Sequence, residues 1–159
     1  MSFTIREGKK EDMPEVLNLI KELAHFEKEP EAVVVTASDL QEDGFGASPL
    51  FKTYVAEMDN KIVGMALFYP RYSTWKGPTI HLEDLIVTQS KRSLNIGKEL
   101  YKKVIAYGFS KGVRRIEWVV LDWNAPAIEF YKKTGAVVLQ DWNTAQMDES
   151  AIKKYVETF

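Results

Sequence analysis

Residues 83–104, EDLIVTQSKRSLNIGKELYKKV, decide how this chain folds. This stretch ends a strand read over GPTIHLEDLIVT (77–88), whose apolar run holds two carboxylates, Glu83 and Asp84. A turn carrying Lys91 and Arg92 follows. Ile96, Leu100, Val104 and Tyr107 then recur on one stripe, the signature of an amphipathic helix. Strand, basic turn and helix form the first part of a β-α-β unit, and RRIEWVVLDW (114–123) supplies its second strand, parallel to the first. Cations near a helix N-terminus, here Lys91, Arg92 and Lys98, oppose the partial positive charge of the unpaired N–H groups. A bound anion reconciles the two, because N–H groups and cations can converge on a phosphate. A solvated basic cap is the plainer reading of the turn taken alone.

Outward from this unit, SFTIREG (2–8) reads as a short strand. EDMPEVLNLIKELAHFEKE (11–29) places Met13, Val16, Leu17, Ile20, Leu23 and Ala24 on one helical face, with Asp12 as a candidate N-cap and Pro14 in the first turn. TASDLQEDGFGASP (36–49) is a short helix closed by glycines and a proline. FKTYVAEMDNKIVGMALFYP (51–70) is a hairpin turning at Asp59-Asn60. NAPAIEFYKKTGA (124–136) is a helix ended by Gly135, VVLQDW (137–142) and TAQMD (144–148) read as late strands, and a terminal helix starts near Ser150. The order β-α-α-β-β-β-α-β-α-β-β-α predicts a single α/β domain over 1–159: a mixed, twisted sheet with helices on both faces.

The composition narrows the function. In 159 residues, 45% are apolar and 28% charged, an ordinary globular balance, and the net charge of −2 offers no nucleic-acid footprint. No apolar run is long enough to span a bilayer, and the first residues lack the apolar core of a signal peptide, so a cytoplasmic protein is expected. There is no cysteine, which removes disulfides, thiolate metal sites and a cysteine nucleophile. With two histidines, His25 and His81, a histidine-rich metal site is not expected, and His81 reads as a strand filler.

Glu83 and Asp84 need either partners or a task, since an ionised carboxylate in a covered sheet costs several kcal/mol. Strand alternation sends them to opposite faces unless a bulge intervenes. One reading pairs them with Arg114, Arg115 or a lysine; the other sets Glu83 at a cleft as a proton acceptor. Asn124 reads as an N-cap, Tyr131 as an amphipathic core tyrosine, and Trp75 as either a surface hydrophobe or a cation–π platform.

Two segments taken together change the balance. EDLIVTQSKRSLNIGKELYKKV followed by VLDWNAPAIEFYKKTGA resembles the paired signature of the Gcn5-related N-acetyltransferase (GNAT) superfamily. Arg92 and Gly97 match its Arg/Gln-x-x-Gly-x-Gly/Ala turn; Asn124, Tyr131 and Gly135 match its second part. LIKELAHFEKE, DLQEDGFGASP and YSTWKGPTIHLED are similar to the spermidine/spermine (diamine) acetyltransferase branch, and YSTWKG with VLDWN to its thialysine-acetylating members. The resemblance covers the chain to about residue 140 and weakens beyond it.

The resemblance implies a GNAT-like sheet with splayed central parallel strands and acetyl-CoA as cosubstrate. It implies a coenzyme seat built from Leu85, Ile86, Val87, Arg92, Ser93, Leu94, Asn95, Ile96, Gly97 and Lys98, with Asn124, Ala127 and Lys132 from the later helix. It assigns Glu83 as the base, Tyr131 as the acid that protonates the departing thiolate, and Phe26, Glu27, Trp75, Glu83 and Asp84 to the amine. It implies no metal and a homodimer. Two family glycines are replaced here by Ser93 and Asn95; asparagine best tolerates left-handed φ, but its side chain takes space where a pyrophosphate would approach. Polyamine enzymes of the branch carry an aspartate where this chain has Ser73. That exchange favours a single amine, with a carboxylate near Lys76 or Arg71, over a polycation. The expected activity is acetyl transfer to a small primary amine, thialysine- or lysine-like; the alternatives are a diamine or polyamine acetyltransferase and a non-catalytic acyl-CoA-binding regulator.

Overall fold

The computed structural model describes residues 2–159. The chain forms two compact units, a larger one running to Val119 and a smaller one, Val120–Phe159. The larger unit contains β1 (Thr4–Glu7), α1 (Met13–Phe26), α2 (Ala37–Phe45), β2 (Lys52–Met58), β3 (Lys61–Ser73), β4 (Gly77–Val87), α3 (Ile96–Ser110) and β5 (Ile116–Glu117). These strands make one 5-stranded sheet in the order β1-β2-β3-β4-β5. The first four pair antiparallel and β5 runs parallel to β4. The β2–β3 turn is the expected one: Asp59 and Asn60 both take positive φ, as a tight hairpin loop requires.

Both faces of the sheet are covered, which explains the near-continuous apolar run IVGMALF in β3. On one face, Met13, Val16, Leu17 and Leu19 of α1 and Leu40 of α2 pack with Val55, Ile62, Met65, Leu67 and Ile86. On the other, Phe68 meets Tyr107 of α3 edge-on at 5.1 Å, and the Gly64 backbone lies close under Leu100 of α3. Alternate residues of β3 therefore serve opposite helices. Asp12 does not cap α1 with its side chain. Its carboxylate instead accepts both Arg6 guanidinium nitrogens at 2.7 and 2.9 Å and the Lys9 N–H at 2.7 Å. That network pins β1 to the start of α1 and holds the Asp12 carboxyl below its ordinary range, chiefly through Arg6.

Two expectations fail. The second parallel strand, read over 114–123, shrinks to Ile116–Glu117. The late strands at 137–148 do not form. The smaller unit holds α4 (Ala125–Lys133) and α5 (Glu149–Val156), and none of its described residues lies in a strand. Val137 and Leu139 are 81% and 62% exposed, so the apolar alternation that suggested a strand buries nothing. β-propensity measures fit to a paired, half-buried surface, and these residues have neither the ladder nor the cover.

Candidate functional site

The site is built around a bulge in β4. Leu67 of β3 pairs with Asp84, but the next residue, Phe68, pairs with Leu82, so Glu83 is the extra residue. Hydrogen bonding shows the consequence. The Ile80 N–H donates to Arg115 on the β5 side, whereas the Thr88 N–H donates to Val63 on the β3 side. These residues lie an even number apart, so a regular strand would send both N–H groups the same way. The bulge reverses the alternation, and Leu85 and Val87 turn their N–H groups away from β3. Along that edge β5 pairs with β4 only at Ile80–Ile116 and His81–Glu117. Beyond Leu82, no strand among the described residues continues the ladder on that edge.

The bulge also answers the question of the carboxylates. Asp84 and Ile86 now point to the α1 face, although Leu82 points to the α3 face beside Phe68. Glu83 and Asp84 no longer alternate across the sheet, and neither is paired with Arg114 or Arg115. Glu83 is half exposed and its Oε2 accepts the Tyr69 hydroxyl at 2.8 Å. The same oxygen lies 3.5 Å from His81 Nε2. Asp84 is half-buried, and its carboxyl is pushed up to about 6, first by lost hydration and then by the charges of Glu83 and Glu27. Loss of hydration also raises Glu27, at the C-terminal cap of α1. Burial and the contact with Glu83 push Tyr69 up to about 12, so it remains a hydrogen-bond donor at neutral pH. Of the two neighbouring carboxyls, Glu83 accepts the Tyr69 hydroxyl and Asp84 is desolvated and raised. Such a pair can attract an ammonium and then take its proton.

The turn after β4 carries the donors. A short 3-10 helix, Gln89–Lys91, leads into α3, and Ser93 and Asn95 take φ of 71° and 61°. Both family glycine positions are therefore left-handed. Gly97 shows the opposite: a Cβ there would meet only Val87 Cγ2, at an ordinary 3.6 Å. The fold does not require that glycine, but a ligand approaching the backbone would. The first bond of α3 runs from the Glu99 N–H to the Asn95 carbonyl, and the Asn95 side chain does not cap the helix. The N–H groups of Ile96, Gly97 and Lys98 are left as a seat for an anion. Arg92 Nε donates to the Val87 carbonyl at 3.1 Å and its guanidinium lies 5.4 Å from the Phe26 ring, which fixes the cation beside that seat. Leu85, Val87, Arg92, Ser93, Leu94, Asn95, Gly97 and Lys98 reach the surface, whereas the side chains of Ile86 and Ile96 are buried, and Phe26 lies against Arg92.

In the smaller unit, Asn124 caps α4: its Oδ1 accepts the Ala127 N–H at 3.4 Å. Tyr131 is half-buried on α4, its ring 5.4 Å from Phe130, and its carbonyl accepts the Thr134 hydroxyl. Lys132, in the last turn of α4, is exposed. Gly135 takes φ +94° as the helix stop.

The far end of the β3–β4 hairpin lies away from the carboxylates. Trp75 is 77% exposed at the turn, and at ~3.3 Å per residue the strand from Gly77 to Glu83 places it about 20 Å from the carboxylates of the same chain. Ser73 is buried and its hydroxyl accepts the N–H groups of Trp75 and Lys76, each at 3.2 Å, so it shapes the turn. Arg71 donates to Glu117 at 2.6 Å, with its side chain half exposed. Tyr69 and His81, by contrast, stand beside Glu83, so His81 is more than the strand filler that the sequence suggests. The only hint was the register of the long hairpin, and the bulge hides it.

Residues 13–136 match the Acetyltransferase (GNAT) family. The chain is 37% identical to the thialysine N-epsilon-acetyltransferase of Bos taurus over 97% of this chain and 98% of that one. It is 38% identical to the human spermidine/spermine N(1)-acetyltransferase-like protein 1, over 86% of this chain and 21% of that one. The fold is also similar to that of AAC(6')-Iy in complex with the bisubstrate analogue CoA-S-monomethyl-acetylneamine, with a TM-score of 0.76, 19% identity and coverage of 93% and 99% of the two chains. A bulged strand carrying paired carboxylates, an open edge after it and a donor-lined helix start are thus found in a chain that belongs to the acetyltransferase (GNAT) family.

Proposed function

We propose that this acetyltransferase moves the acetyl group of acetyl-CoA directly onto the primary amine of a small molecule, with a thialysine- or lysine-like amine favoured over a diamine or polyamine. The bulge at Glu83 carries this reading, because it sets a proton acceptor next to the backbone N–H groups of Leu85 and Val87. Free alkylamines have a pKa near ~10.4, so only about one molecule in two thousand is neutral at pH 7. Glu83, through a water, takes a proton from the ammonium. The nitrogen lone pair attacks the thioester carbonyl, and a strand N–H of Leu85 or Val87 steadies the oxyanion. The carbon–sulfur bond breaks, its electron pair leaves with sulfur, Tyr131 protonates the thiolate, and the second amine proton passes to solvent. The chain has no cysteine to divert the acetyl group through a thioester on the enzyme. The N–H groups of 96–98 with Arg92 suit the coenzyme phosphates.

The preference for a single amine rests on the 37% identity to the thialysine enzyme and on the few acids at the site, Glu27, Glu83 and Asp84. A homodimer completes this picture: with Trp75 distant from the carboxylates of its own chain, its indole serves an amine only from a second copy. The test is a panel of thialysine, lysine, spermidine and putrescine with acetyl-CoA, following released CoA, on protein whose mass in solution is measured by light scattering. Turnover should be highest with thialysine on a dimeric species. Glu83→Gln should lower it 10²–10⁴-fold and Tyr131→Phe by about 10²-fold. Preferred turnover of spermidine or putrescine would establish the diamine reading, and no turnover of any amine would leave an acyl-CoA-binding protein.

A further inference from the structure

His81 lies on the α1 face of β4, one residue before Leu82, buried, with the Tyr69 ring 5.3 Å away. The Arg71 Nη1 contacts its Nδ1 at 3.3 Å. A guanidinium in a protein has no lone pair to offer, so it can only donate. Nδ1 must therefore accept, and in the neutral ring the proton resides on Nε2, the nitrogen 3.5 Å from Glu83 Oε2. Arg71 is itself held in place: its Nη1 donates to Glu117 Oε1 at 2.6 Å, and Glu117 sits opposite His81 in the parallel register with Arg115 Nε 3.6 Å from its other oxygen. The chain of contacts runs Glu117, Arg71, His81, Glu83 across three strands. Glu83 Oε2 accepts the Tyr69 hydroxyl and lies 3.5 Å from this imidazole nitrogen, which leaves Oε1 for water or the amine.

We propose that His81 is a positioning residue for Glu83: Arg71 fixes the tautomer of the imidazole, and the Nε2–H so presented holds the Glu83 carboxylate in place for proton transfer. The role in catalysis rests on the reading of Glu83 as the base. The groups facing His81 are Arg71 and Tyr69 from β3, Glu83 and Asp84 from β4, Glu117 and behind it Arg115 from β5, and Glu27 at the end of α1, beside Asp84.

Nitrogen-15 spectra of the imidazoles report the tautomer without any substrate, and with two histidines in the chain, His25→Gln assigns the signals. In its neutral form His81 should carry its proton on Nε2, and Arg71→Met should release a mixture of tautomers. Carbon-13 titration of the Glu83 carboxyl should move upward in His81→Phe, and the acid limb of kcat/KM should move with it, with about tenfold lower activity on that side. His81→Gln should restore both, since its amide can accept from Arg71 and donate to Glu83. The substrate amine titrates alike in all variants and cancels in the comparison. A proton on Nδ1, or a Glu83 titration unchanged in His81→Phe, overturns the proposal whether or not the enzyme turns over. Full spectroscopic coupling with no acetyl transfer to any amine overturns the reading of Glu83 as a base, and with it the catalytic part of this one.

Discussion

Ser93→Gly and Asn95→Gly test the coenzyme turn most directly. Both residues sit at positive φ, 71° and 61°, where an L-residue other than asparagine is strained by ~1–2 kcal/mol. Glycine removes that strain but adds freedom to the unfolded chain, which costs ~0.5–1 kcal/mol. The difference makes Ser93→Gly stabilising by about 0.5–1 kcal/mol, a rise of ~1–4 °C in Tm for a chain of this size. Asn95→Gly should be near neutral, because asparagine already tolerates the conformation. Ser93→Ala keeps the Cβ and so gains nothing, which separates strain from loss of the hydroxyl. Binding is the second readout. Both side chains are exposed at the rim of the N–H groups of 96–98, and removing them opens the approach of a pyrophosphate. Recovery of one hydrogen bond to a charged oxygen, ~1.5–3 kcal/mol, means at least about tenfold tighter acetyl-CoA in the double variant. Urea unfolding and titration calorimetry give both numbers. A Ser93→Gly protein less stable than the parent would refute the strain argument; an unchanged or weaker Kd in the double variant would refute the crowding argument and show that Ser93 or Asn95 contributes to the seat.

Two further expectations follow from the interior. Asp84 has a folded pKa of about 6 against an ordinary 3.8, so between those values the unfolded state releases its proton more readily and stability falls as pH rises. Asp84→Asn should therefore raise Tm at pH 8 and leave it unchanged at pH 3, and melts at the two pH values check the sign; an equal effect at both would mean that ionisation of Asp84 is not the source. Gly64→Ala should destabilise by ~1–3 kcal/mol, because the new methyl would lie 3.0 Å from the Ile86 carbonyl and 3.3 Å from Leu100 Cδ1, between β3 and α3. Chemical denaturation measures it, and a neutral result would show that α3 shifts freely away from the sheet.

Much of the fold was legible because its signals are local and periodic. The α1 stripe, the Asp59-Asn60 turn and the α3 stripe each specify their element with little help from elsewhere. Leu19 escaped because the faces of α1 are not separated cleanly: α2 adds a second surface for it to pack on. The late strands were misread for the reason that makes β-structure hard to read at all, since a strand exists only where a partner does. The coenzyme turn was legible as a motif, with its left-handed residues foreseen at Asn95. The grouping of Tyr69, His81 and Glu83 was not, because a single inserted residue decides which side chains share a face.

The replaced and retained glycines of the turn separate two demands that a family motif merges. A glycine can be needed for its backbone or for the space it leaves. At 93 and 95 the backbone is left-handed, and this chain meets that demand with serine and asparagine at some cost in strain. At 97 the backbone is ordinary helix and the protein itself leaves room for a methyl, yet glycine stands there. Glycine in a helix is ~0.5–1 kcal/mol less stable than alanine, so the fold alone gains nothing from it. On the proposed function, the group that needs the N–H of residue 97 unshielded is the coenzyme. Gly97→Ala isolates that demand: it should raise stability by a fraction of a kcal/mol while weakening acetyl-CoA, opposite in both respects to what a glycine kept for folding would show.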